Sequence, residues 1–132
     1  MKKILFITHD ASKTGAPYVL YNFLKRLKQN NTWQFEILVL GDGPMIPLFE
    51  DLAKVYFFKN TSNILKKIIK KVLGISFKSN LETFLEHKTY DLYYVNSTAS
   101  LPKLPNLFFL NKAKSILHVH ELNINIQQNQ VA

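Results

Sequence analysis

The chain has 132 residues, 47% of them apolar, and a formal charge of +8. That length suits one compact domain with its own core, and the absence of cysteine excludes disulfide frameworks and thiolate metal sites. The excess of positive charge points to an anionic partner: a phosphate-bearing ligand, a lipid headgroup or a nucleic acid.

In chain order, Met1-Lys2-Lys3 has the charge of a secretory leader, but the apolar run Ile4–Ile7 is too short for one and Thr8-His9-Asp10 breaks it. No apolar stretch is long enough to span a bilayer. Lys3–Ile7 reads as a buried strand. Tyr18–Lys28 reads as a helix with Val19, Leu20, Phe23, Leu24 and Leu27 on its core face. Phe35–Leu40 is a second strand, stopped by Gly41-Asp42-Gly43-Pro44. Met45–Ala53 is a short helix with Pro47 early in it, and Lys54–Phe58 a third strand. Helices follow over Asn63–Leu73 and Asn80–His87, then a strand over Asp91–Val95. Ala99–Leu110 is expected to be mostly helical, with Pro102 and Pro105 near its start, and Ser115–Val119 is the fifth strand. Strands alternating with helices predict right-handed βαβ units: an α/β, Rossmann-like open parallel sheet of about five strands, with helices on both faces. After Glu121 the chain is polar, with no helix to cover the last strand. A parallel strand is normally covered on both faces, so a cut through a longer protein is expected.

Ligands of open α/β sheets sit beyond the carboxyl ends of the strands. The loop before the first helix lies there and ends in Thr14-Gly15-Ala16-Pro17. Gly15 would let backbone approach a ligand closely. Pro17 lacks a donor that the first turn leaves unpaired anyway, and the N–H groups of a helix start attract anions. Thr14 or Gly15 could equally serve as a plain helix cap. A dinucleotide fingerprint needs three spaced glycines and only Gly15 is here, and a Walker A loop is absent too. Asn96-Ser97-Thr98 and His120-Glu121 should reach the same rim. Asn96-Ser97 also suits a helix cap. His118 and His120 fall on one side of a strand, as a zinc pair would, but no third ligand follows at metal spacing. His118 is then structural, and His120 is placed to hydrogen-bond a sugar or phosphate oxygen.

These segments resemble a family. "ITHDASKTGAPYVLYNFLKRL" resembles the first strand, loop and helix of family-4 glycosyltransferases of the GT-B fold, and "VLGDGPMIPLFEDLAKVYFF" their second unit. "DLYYVNSTAS" and "ILHVHELNINI" look like the fourth and fifth strands with their rim residues. The resemblance covers nearly the whole chain. It implies a two-domain hexosyltransferase acting in cell-envelope polysaccharide synthesis, of which 1–132 is the N-terminal, acceptor-side domain and the C-terminal donor domain is absent. It implies transfer from a nucleotide-sugar to a glycan or lipid-linked acceptor, with retention, no metal and no separate cofactor. His120 matches the catalytic rim histidine. Thr14, Gly15, Ala16, Asn96, Ser97 and Glu121 fall at substrate-binding positions. The resemblance also implies that the 132 residues alone are inactive.

From Leu52 to Leu81 there are seven lysines and no acidic residue. On a helix at about 100° per residue, Ile64, Leu65, Ile68, Ile69, Val72 and Leu73 cover one half, and Lys66, Lys67, Lys70 and Lys71 the other. That arrangement fits a solvated face, or a helix leaning on an anionic membrane. Nucleic acid is disfavoured as a partner, because the single arginine, Arg26, leaves little for base reading. A cytoplasmic protein, peripheral on the inner face of the membrane, is the resulting expectation. The rival reading is a non-catalytic basic α/β module that binds anionic membrane or phosphate ligands. A phosphoacceptor receiver domain would need an aspartate ending the third strand, and "VYFFKN" has none.

Overall fold

The computed structural model describes residues 1–58, 71–73, 80–110 and 113–120. Five parallel strands form one sheet: β1 (Lys3–Thr8), β2 (Gln34–Val39), β3 (Val55–Phe57), β4 (Leu92–Asn96) and β5 (Lys114–His118), in the order β3-β2-β1-β4-β5. The expected open parallel sheet is present, and β1 is its centre. Ile4, Leu5, Phe6 and Ile7 are all buried, the continuous apolar run that a strand covered on both faces requires. Alternate residues feed two cores. Ile4 and Phe6 pack with Leu20 and Leu24 of α1 (Gly15–Asn30) and Phe49 of α2 (Ile46–Leu52). Leu5 and Ile7 pack with Phe84 and Leu85 of α3 (Asn80–His87), with Tyr93 and Val95, and with Phe108 of α4 (Asn106–Leu110).

Connections leave β1 and β4 in opposite directions, so the helices after β1 and β2 cover one face and those after β3 and β4 the other. The strand order reverses between β1 and β4, which makes the crevice between their carboxyl ends the natural ligand position.

Three expectations need correction. The α1 face is narrower than the sequence pattern indicates: Leu20 and Leu24 are buried, whereas Val19 and Phe23 are 48% and 46% exposed. Phe23 stacks on Tyr94 with ring centroids 6.1 Å apart, so this flank of α1 looks past β4 towards the edge strand, whose Ile116 and Leu117 are themselves exposed. The helix expected over Ala99–Leu110 is two pieces, a 3-10 helix (Thr98–Lys103) and α4. Pro105 divides them by forcing Leu104 into an extended conformation (φ −84°, ψ 137°). Finally, α1 begins three residues earlier than Tyr18, with Pro17 inside its first turn. Of the expected helix over Asn63–Leu73, residues 71–73 are helical; the rest lies outside the described residues.

Candidate functional site

The last rung of the sheet is made by Thr8, Asn96 and His118, which pair in register across β1, β4 and β5. Each strand then releases a loop at the same rim. The β1 loop is folded by its own polar groups. The Thr8 hydroxyl donates to the Asp10 carbonyl (2.9 Å), and the Ser12 N–H donates to Asp10 Oδ1 (3.0 Å), an Asx-type turn. This loop rests on the turn after β2. A Cβ on Gly43 would stand 2.3 Å from the Ala11 carbonyl, and one on Gly41 would stand 2.7 Å from the His9 oxygen. Both glycines therefore act by letting two rim loops touch, a role beyond ending β2. Lys103 closes the flank, donating from Nζ to the His9 carbonyl (2.7 Å). Sequence reasoning missed Lys103, because nothing in its own neighbourhood marks a reach to a loop 94 residues away.

Gly15 behaves differently. It has φ +61° and is exposed, and a Cβ built on it would meet nothing within 4 Å. Its left-handed conformation favours glycine, and the space beside it is open. Thr14 is the exposed N-cap residue of α1, and its side chain makes no capping hydrogen bond.

From β4, Asn96 is only 1% exposed. Its Nδ2 donates to the Ala16 carbonyl (2.9 Å), and its Oδ1 meets His120 Nε2 (2.8 Å). Ser97 follows with φ 79°, an unfavourable backbone for a residue with a side chain. It is held there by its N–H, which donates to the His118 carbonyl (2.9 Å), and by its Oγ, which accepts from the Ala99 N–H (3.1 Å). Ser97 is thus the cap of the 3-10 helix. The Thr98 hydroxyl is buried with no partner among the described residues.

From β5, the ring of His118 lies 3.9 Å from that of His120, centroid to centroid. His118 Nδ1 is hydrogen-bonded to the Tyr94 hydroxyl at 2.5 Å. Burial pushes the Tyr94 phenol above its usual value, so it stays protonated at neutral pH. Among the described residues no group of three or more His, Cys, Asp or Glu could hold a metal ion, and no helix is long and apolar enough to cross a membrane. The structure therefore brings Gly15, Ala16, Asn96 and His120 together. Ser97 is beside them, turned to capping. Glu121, Lys66, Lys67 and Lys70 lie outside the described residues, and Lys71 is exposed.

A hollow of about 430 Å³ lies at the opposite end of the sheet, lined by Lys2, Trp33, Tyr90, Asp91, Leu92, Ala113 and Lys114. Its cations are surface lysines and it sits at the amino ends of the strands, whereas the rim carries the glycine backbone and the imidazole. The rim is accordingly the candidate site.

Together, fold and rim define a Rossmann-like α/β domain with its crevice at the β1/β4 reversal. Among solved structures the chain is similar to Anabaena Alr3699/HepE, crystallised in complex with UDP and glucose, with a TM-score of 0.59 and 23% identity. The match covers 92% of this chain and 30% of that one, so the chain spans under a third of the structure it resembles. The likeness establishes the fold. No family model and no curated protein matches the sequence.

Proposed function

We propose that this chain is the acceptor-side domain of a two-domain glycosyltransferase. The parent would move a hexosyl group from a nucleotide-sugar to a glycan or lipid-linked acceptor, with retention of configuration. The observation that carries the proposal is the fold match, over 92% of the chain, to a protein solved with UDP and glucose. It is supported by a rim that offers an open glycine backbone and an imidazole, joined through Asn96 and Ala16.

In this reading the bond from the sugar C1 to the diphosphate oxygen breaks, and the acceptor oxygen bonds to C1. The acceptor proton leaves with the diphosphate. Gly15 gives phosphate oxygens close access to backbone N–H groups at the start of α1. His120 hydrogen-bonds the reacting sugar, a contact that acts on rate when it strengthens as charge develops. Binding of the nucleotide falls mainly to the partner domain, so residues 1–132 alone bind it weakly. Membrane attachment through Lys66, Lys67, Lys70 and Lys71 would bring the domain to a lipid-linked acceptor at the inner face.

The test is transfer from a panel of UDP-, GDP- and ADP-sugars by the longer protein, with the product's anomeric configuration read by NMR. Transfer with retention is expected. Turnover by pure 1–132 would refute the half-site reading and favour a self-sufficient module.

A further inference from the structure

Asn96 was anticipated as a residue that meets substrate, but its side chain is engaged within the protein at both ends. A backbone carbonyl can only accept, so the amide end facing Ala16 must be the NH₂. The end facing His120 is then the oxygen, which can only accept in its turn. His120 Nε2 must therefore carry a proton, and in the neutral ring the lone pair resides on Nδ1. The chain of donors fixes this assignment, whichever way the amide is drawn.

We propose that Asn96 is a positioning residue that sets the tautomer and place of His120 and ties it to the first turn of α1. The tie matters because Ala16 adjoins Gly15, the open backbone of the rim. One buried amide holds the two candidate ligand contacts at a fixed separation, although they come from elements 104 residues apart in sequence (16 and 120). An amide that is 1% exposed and bonded at both ends leaves little freedom to adjust. Among the described residues, the titratable groups given next to His120 are His118, whose ring lies 3.9 Å away at a tilt of 32°, and Tyr94, reached through His118. The inference rests on the transferase reading only in making His120 a substrate contact; the tie itself is independent of activity.

The experiment is a long-range ¹H–¹⁵N spectrum of the histidine rings in the 132-residue chain, recorded across pH. The His120 signals are identified by their loss in His120→Gln. His118→Phe keeps a stacked ring and removes the neighbour's titration. Neutral His120 is expected in the Nε2–H form. The Asn96 side-chain NH₂ and the Ala16 amide should shift with the midpoint of His120, in the wild type and in His118→Phe. In Asn96→Leu the Ala16 amide should no longer follow that midpoint. An Nδ1–H tautomer, or an Asn96 NH₂ indifferent to His120 titration, would overturn the proposal, and both are read in the wild type even if Asn96→Leu fails to fold. No reading needs turnover, so failure of the tie and failure of the transferase assignment are separately visible.

Discussion

Gly15 carries two demands that substitution can separate. Its φ of +61° makes any side chain costly, while the empty space around it means that a side chain meets no wall. Gly15→Ala should lower stability by about 1 kcal/mol from backbone strain. Gly15→Val should cost slightly more, yet reduce transfer by the parent far beyond its effect on melting, because its branches occupy the approach to backbone N–H groups. Equal losses in folded fraction and turnover for Gly15→Val would show that the residue serves only the turn. His120 poses the complementary case. It is partly exposed and outside both apolar cores, so His120→Ala should cost about 1–3 kcal/mol, through the Asn96 oxygen it leaves unpaired, and reduce turnover per folded molecule by ~10²-fold or more. Sequence pattern brought both residues to the rim, since Gly15 closes the loop that follows the first apolar run and His120 follows the last one. It did not reveal that Asn96 joins them, because a bond between β4, β5 and α1 depends on register, which one sequence does not display.

At the scale of elements, the β-strands were legible because continuous apolar runs of buried parallel strands differ sharply from the turns between them. The breadth of a helix face was less legible. Val19 and Phe23 have the right spacing on α1, but how much of that face is covered depends on what packs beyond β4, and their exposure follows from that neighbourhood. The glycine turn after β2 shows the same limit: it reads as a stop signal, while its contact with the Ala11 backbone is tertiary. Gly43→Ala should therefore cost ~2 kcal/mol or more, since the atoms it meets are backbone and cannot rotate away; denaturant midpoints check this. At the amino end of the sheet, Glu36 accepts a hydrogen bond from Tyr90 and faces Lys3 Nζ at 3.1 Å. Burial alone would raise the Glu36 carboxyl, but the Tyr90 and Lys3 hydrogen bonds, with the charges of Lys3 and Lys88, hold it below its ordinary 4.5. A depressed carboxyl contributes stability above its unfolded value, which is lost as pH falls through the folded one. Glu36→Gln should thus weaken the fold at neutral pH by about 1 kcal/mol, and the difference from wild type should shrink below pH 4.5. A constant difference across that window would assign Glu36 a packing role only. For the lysine-rich segment, liposome sedimentation should show binding to anionic vesicles that weakens with salt, and weakens again when Lys66, Lys67, Lys70 and Lys71 become glutamine. Binding indifferent to both changes would remove the electrostatic docking.

In the proposed reading, the molecule as a whole holds one side of a crevice. Gly15, Ala16 and His120 lie at the β1/β4 reversal, and the similar structure solved with UDP and glucose is more than three times the length of the matched part. A half-crevice supplies positioning without enclosure, and charge stabilisation of a departing diphosphate needs donors on both sides and the exclusion of water. In that reading activity belongs to a longer parent protein, to which the rim residues contribute supporting contacts. The most direct measurement is the transfer rate of the longer protein from its nucleotide-sugar, for wild type and His120→Ala, each normalised to folded protein. The expected result is measurable transfer by the wild type, a loss of ~10²-fold or more per folded molecule in His120→Ala, and none from residues 1–132 alone. Transfer by folded His120→Ala at the wild-type rate would contradict it.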